Sequence, residues 1–192
     1  MKLILGSQSP QRKNILGFFR LPFEQISSDF PEESIPFTGD PHAYAIAISE
    51  GKSLALQHPD PEAIILTSDC VVFHNGVVYG KPKDPEEGLT MLRVLSGTTH
   101  KVVTAVTVRQ GDRMISSSEE SEVELNQLNE EQIRHYQQAI HSWDKAGGFS
   151  VLNTGSIAVK KINGCFYNVV GLPVNTLREL LLQFGVDVWK YL

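Results

Sequence analysis

The chain has 192 residues, enough for one buried core or for two closely joined lobes of a single domain. Its hydrophobic share of 41%, charged share of 20% and formal charge of -5 are those of an ordinary water-soluble globular protein. The acidic balance argues against a general affinity for nucleic acid or an anionic membrane, both of which need a basic face, but it leaves room for a small basic pocket.

Two cysteines, Cys70 and Cys165, are too few and too far apart for a disulfide framework or a zinc knuckle, so a reduced compartment is expected. The apolar start from Met1 to Gly6 is too short for a signal peptide. No run approaches the roughly 18 to 20 apolar residues of a membrane span. The expectation is a soluble, cytoplasmic protein.

Strand-like and helix-like segments alternate, which predicts a mixed α/β fold. Lys2 to Leu5 is a short strand candidate. Ser9 then caps a helix that starts at Pro10 and continues through Ile15, Leu16 and Phe19. Phe23 to Ser27 is the second strand candidate. Asp40-Pro41 repeats the cap-then-proline start for a helix with Tyr44, Ala47, Ile48, Gly51 and Ala55 on one face, ending near Gln57. Ala63 to Leu66 reads as a strand buried on both faces. Val71 to Phe73 and Val77 to Tyr79 flank Asn75-Gly76, a strong hairpin signal.

Pro85 to Leu95 is the next helix, stopped by Ser96-Gly97. His100 to Arg109 and Ile115 to Leu125 are strands joined by a turn at Gly111-Asp112. Asn129 with Gln132 has the form of a capping box for a helix reaching Ile140. Ile157 to Ile162 and Cys165 to Val169 flank Asn163-Gly164 and predict a second hairpin. The last helix carries Leu177, Leu180, Leu181 and Phe184, and Gly185 stops it.

Chemistry is expected at the junctions, where loops on a rigid scaffold carry function. Ser7 to Lys13 offers hydroxyls, cations and backbone N–H groups suited to an anion, although a capped helix with solvated charges explains the same residues. Thr67 to Cys70 places Asp69 at a strand end, where it could hold a metal, orient a water or only shape a turn. Lys81, fixed by Pro82, could face a phosphate. His100 reads as a structural hydrogen-bonding residue, since no second ligand stands at metal spacing. Asp144 to Phe149 has paired glycines that let backbone approach a ligand, and Asp144 could bind metal or orient a lysine, although a structural glycine turn with a surface ion pair explains the same residues. Walker-type loops, dinucleotide fingerprints and Gly-x-Ser-x-Gly are absent.

Six blocks in order resemble the Maf family of nucleotide pyrophosphatases. They are Ser7 to Arg12, Ser68 to Val72, Lys81 to Asp84, Leu95 to His100, Asp144 to Phe149 and Asn168 to Pro173. The resemblance implies an α/β fold of the Maf and inosine-triphosphatase kind, with an elongated mixed β-sheet flanked by helices, two lobes around a central cleft, and frequently a homodimer. It also implies hydrolysis of a nucleoside triphosphate between the α and β phosphates with Mg²⁺ or Mn²⁺. By position, Asp69 matches the family's general base. Ser7, Ser9, Arg12, Lys52 and Lys81 fall on the phosphate-facing set, and Glu32 with Asp69 on the metal side. An aspartate with the usual pKa of about 4 is a weak base, so Asp69 is expected to orient a metal-activated water more than to take its proton.

Three positions tied to base choice depart from the branch that acts on thymidine and uridine triphosphates. Gln11, Cys70 and Leu152 stand where that branch usually has Arg, Thr and Gln. Leu152 cannot make the hydrogen bonds a glutamine would offer a base, so specificity is expected to be altered or relaxed. Thymidine, uridine or modified pyrimidine triphosphates lead as substrates. A purine-directed pyrophosphatase, acting for example on methylated guanosine triphosphate, is the alternative enzyme, and a nucleotide-binding, division-associated regulator without turnover is the alternative class.

Overall fold

The computed structural model describes residues 2–141 and 144–192. Met1, at the head of the apolar opening stretch, lies outside them.

A seven-stranded mixed sheet organises the molecule. Its strands are β1 (Leu3–Gly6), β2 (Phe23–Ile26), β3 (Ile64–His74), β4 (Val77–Tyr79), β5 (Thr99–Gln110), β6 (Arg113–Leu125) and β7 (Val159–Asn163). The order is β2-β1-β3-β5-β6-β7, with β4 on β3. β2, β1 and β3 run parallel, while β3, β5, β6 and β7 alternate in direction. The helices are α1 (Pro10–Leu16), α2 (Pro41–Ala55), α3 (Pro85–Leu95), α4 (Glu130–Ile140), α5 (Phe166–Val170) and α6 (Val174–Gln183). No helix among the described residues is long and apolar enough to cross a membrane.

Local chemistry accounts for most helix starts. Ser9 accepts from Arg12 N with Pro10 in the first turn, and Asp40 and Asp84 do the same ahead of Pro41 and Pro85. Asn129 and Gln132 form a reciprocal capping box, as their spacing predicts. At its other end α2 is capped by a strand residue: Arg109 donates to Ser53 O at 2.7 Å and to Leu56 O at 2.9 Å. That guanidinium satisfies carbonyls the helix leaves open and fixes its last turn, which carries Lys52.

Two expectations are overturned. The run from Ala63 to Leu66 and the run from Val71 to Phe73 are one strand, β3, so Thr67 to Cys70 lies mid-strand and not at a strand end. The polar residues interrupt the apolar pattern without interrupting the ladder, because β5 pairs with every residue from Ile64 to Phe73. Secondly, Asn163-Gly164 opens no hairpin. Val159–Asn163 is a strand, but Phe166–Val170 is the short helix α5, and Ile157 lies in a 3-10 turn over Asn153–Ala158.

Side chains alternate across the sheet. One face of β3 packs on α2, with Ala45, Val71, Val103 and Ala105 buried together. On the other face one cluster includes Leu5, Leu16, Leu66, Val108 and Leu177, and a second includes Val72, Leu92, Val102, Val123 and Ile133. Each fully buried aliphatic side chain contributes roughly 2 kcal/mol. Between the clusters β3 and its neighbour β5 place Ser68, Cys70 and Thr104, a polar waist crossed by α5.

Candidate functional site

One edge of β3 belongs wholly to β5, and the other edge is shared. β1 pairs with Ile64 to Leu66 and β4 pairs with Val72 to His74, so residues 67–71 face no strand on that side among the described pairings. A cleft of about 440 Å³ opens at this gap. Because it lies at a sheet edge, it reaches residues on both faces of β3, Asp69 on one and Cys70 on the other. Ser7, Ser9, Gln11, Arg12, Glu32, Lys52, Asp69, Cys70, Lys81 and Leu152 all line it.

The acidic centre is built by α2 against β3. Lys52 Nζ lies 2.6 Å from Asp69 Oδ1 and 2.8 Å from Glu32 Oε1, so one ammonium bridges both carboxylates. The Asp69 side chain is only 7% exposed and that of Glu32 is 54% exposed. Asp69 Oδ2 is buried and accepts no hydrogen bond among the described residues. A desolvated carboxylate oxygen without a donor is costly, which marks it as a place for a cation or a water.

Glu32 reaches this centre on a 3-10 turn (Glu32–Ser34), and the segment before it is held to α2 at Gly51 and Lys52. Ser28 Oγ donates to Lys52 O at 2.7 Å. The Phe30 ring lies against Gly51 so closely that a Cβ there would fall 2.3 Å from Cζ. Gly51 is therefore required for space, not for backbone conformation.

Cations approach from two further directions. Arg12 donates through Nε to Gly171 O at 2.9 Å and through Nη1 to Ser7 Oγ at 3.3 Å, and it has no carboxylate partner among the described residues. The serines are partly committed to this turn: Ser7 Oγ accepts from Ser9 N, and Ser9 Oγ donates to Gln11 Oε1. Lys81 is exposed and makes no ion pair among the described residues. Its loop is tied to the 144–149 block by Gly147 N donating to Gly80 O at 3.0 Å. Asp144 and Lys145 also line the cleft and pair with one another.

The remaining wall is apolar. Phe149, Val151, Leu152 and Val169 line it beside Cys70. Tyr136 holds this wall in place: its hydroxyl accepts from Ser150 N and donates to Gly155 O, both at 2.9 Å. Desolvation pushes the Cys70 thiol up from its ordinary pKa, which disfavours the thiolate.

His100 stands outside this group. It is 2% exposed, packs edge-on to Phe149 at 5.2 Å, and neither ring nitrogen has a hydrogen-bond partner among the described residues. The hydrogen-bonding role expected from its sequence context is therefore not what the structure shows. Burial pushes its pKa down to about 4, with His74 adding to the effect.

The sequence reading missed Tyr44, which stands two four-residue steps before Lys52 on the same face of α2 and lines the cleft. Desolvation raises its phenol pKa first, and the charges of Asp69 and Glu32 raise it further. The i, i+4, i+8 spacing of Tyr44, Ile48 and Lys52 was the available signal. No sequence pattern pointed to the Gly171 carbonyl as the partner of Arg12.

Comparison with known proteins places these features. The family model described as Maf-like protein matches residues 2–184. A dTTP/UTP pyrophosphatase of Chlamydia caviae is 44% identical over 192 residues, covering 100% of this chain and 98% of that protein. A Chlamydia muridarum protein named nucleoside triphosphate pyrophosphatase is 39% identical over the same coverage of both. Among solved structures, a HAM1 protein from Coxiella burnetii is similar at 13% identity and a TM-score of 0.45, covering 96% of this chain and 98% of that one.

Proposed function

The chain belongs to the Maf family, and from that premise we propose that it is a metal-dependent nucleoside triphosphate pyrophosphatase acting on thymidine, uridine or modified pyrimidine triphosphates. The observation that carries this reading is the convergence of Arg12, Lys52, Lys81, Glu32 and Asp69, drawn from well-separated stretches of sequence, on one cleft at the open edge of β3.

The donor set suits a hard divalent cation. Among the described residues no group of three or more His, Cys, Asp and Glu could hold a metal alone. Asp69, with its unpartnered buried Oδ2, and Glu32 would therefore hold Mg²⁺ or Mn²⁺ together with phosphate oxygens, the way Mg²⁺ is usually bound beside nucleotides. When bound, such an ion screens phosphate charge and acidifies a coordinated water.

The protein's own residues supply the rest. Arg12 and Lys81, both lining the cleft, neutralise the triphosphate. Lys52 bridges both carboxylates and holds them together in the cleft. Asp69 accepts a hydrogen bond from the attacking water and orients it. The water oxygen joins one phosphorus, the α-β anhydride bond breaks, pyrophosphate leaves, and the proton passes to solvent. The apolar wall at Phe149, Val151 and Leu152 receives the base by packing and offers no side-chain hydrogen bond to its edge.

Phosphorus NMR of a uridine triphosphate digest tests the bond that breaks. Monophosphate and pyrophosphate are expected. Diphosphate with orthophosphate would refute the α-β assignment.

A further inference from the structure

Resting on the reading that Arg12 meets the triphosphate, we infer that Asn168 is a positioning residue for that cation, acting through the carbonyl of Gly171. No carboxylate among the described residues orients Arg12, so its direction comes from its two acceptors, Gly171 O and Ser7 Oγ. A guanidinium so held keeps its remaining N–H groups in a fixed plane for an anion.

The Gly171 carbonyl is itself held. It also accepts from Ser68 Oγ at 3.1 Å. Gly171 ends α5 in the left-handed region at φ 112°, with its N–H donating to Tyr167 O and Asn168 O. A side chain at this φ is strained, although a Cβ would find its nearest neighbour, Arg12 Nε, only at 3.8 Å. α5 has five residues, far too few to be stable alone.

Asn168 supplies what the short helix lacks. It is fully buried, and its Nδ2 donates to Val102 O and to Ser121 Oγ, both at 2.9 Å. Its own carbonyl accepts from Thr104 Oγ1 at 2.7 Å. These bonds fasten α5 to β5 and β6 across the polar waist of the sheet. A continuous set of bonds thus runs from the sheet interior through Asn168 and Gly171 to Arg12. The effect is preorganisation: a long cationic side chain is aimed before the ligand arrives, so less freedom is lost on binding.

The test is equilibrium binding of α,β-methylene-UTP with Mg²⁺, alongside thermal unfolding and pyrophosphate release from UTP. Asn168→Ala and Gly171→Ala are expected to weaken binding about tenfold while remaining folded. Added to Arg12→Ala, Gly171→Ala is expected to cost nothing more, because the residue it positions is gone. Equal losses in the presence and absence of Arg12, or wild-type binding by folded Asn168→Ala, would overturn the inference. Should the Asn168 variant fail to fold, Arg12→Lys decides. It keeps the charge but loses the planar bond to Gly171, so it should bind nearly as poorly as Arg12→Ala; binding at the wild-type level would overturn the inference. Failure of the wild type to bind the analogue would overturn it too. Binding without pyrophosphate release would remove the catalytic reading alone.

Discussion

Lys52 Nζ lies 2.6 Å from Asp69 Oδ1, where no strand among the described residues pairs with the outer edge of β3. With side chains 13% and 7% exposed, both charges are largely desolvated, and Lys52 is the ion-pair partner of Asp69 among the described residues. Lys52→Met is therefore expected to cost about 3 kcal/mol of stability by leaving the Asp69 carboxylate uncompensated. Adding Asp69→Asn should restore most of that loss without restoring turnover. Urea unfolding of the two single variants and the double variant checks this, and strictly additive losses would contradict it.

The seat of Phe30 on Gly51 gives a second prediction. Gly51→Ala should displace the ring, shift the turn that carries Glu32 and raise the metal concentration needed for half-maximal activity several-fold. Overpacking of this kind costs about 1–3 kcal/mol. Phe30→Val in the same chain relieves the clash, so the double variant should recover stability more than metal response. Unchanged behaviour of Gly51→Ala in unfolding and in metal titration would show the contact to be slack.

His100 predicts a stability slope in acid. Its folded pKa is pushed down to about 4 from an ordinary value near 6.5, so below pH 6.5 the unfolded chain takes up a proton that the folded chain refuses. Stability should fall as pH drops from about 6.5 toward about 4, by up to roughly 3 kcal/mol. His100→Phe should flatten that part of the profile. Denaturant unfolding at several pH values measures it, and an identical slope in the variant would assign the effect elsewhere.

Much of this architecture was legible in the sequence, and the limits are physical. Caps with a following proline, the Asn75-Gly76 turn and the Asn129–Gln132 box act locally, so their elements begin where the pattern puts them, although α1 ends at Leu16, short of the expected Phe19. The polar stretch from Thr67 to Cys70 divides β3 into two pieces in the sequence pattern, and the reason for that polarity lies in partners elsewhere in the chain: Ser49, Lys52 and Gly171. α5 resembles a strand in sequence because a short, mostly apolar run carries no period that separates the two states. The site residues were found through motif order. Their convergence depends on β1 and β4 stopping short of one another along β3, which no local pattern encodes.

Leu152 bears on substrate choice. It sits on the cleft wall held by Tyr136, where a longer polar side chain would reach into the cavity. Leu152→Gln is expected to sharpen discrimination between uridine or thymidine triphosphates and other bases by about tenfold. Ratios of kcat/KM across the substrates check this, and unchanged ratios would mean that the base lies elsewhere.

The most direct test is pyrophosphate release from ordinary and modified nucleoside triphosphates by wild type and Asp69→Asn, with Mg²⁺, with Mn²⁺ and with chelator. The account predicts metal-dependent release by the wild type, abolished by chelator and reduced at least about a hundredfold in Asp69→Asn. Turnover by Asp69→Asn within a few-fold of wild type, or no release from any nucleotide by folded wild type, would contradict it.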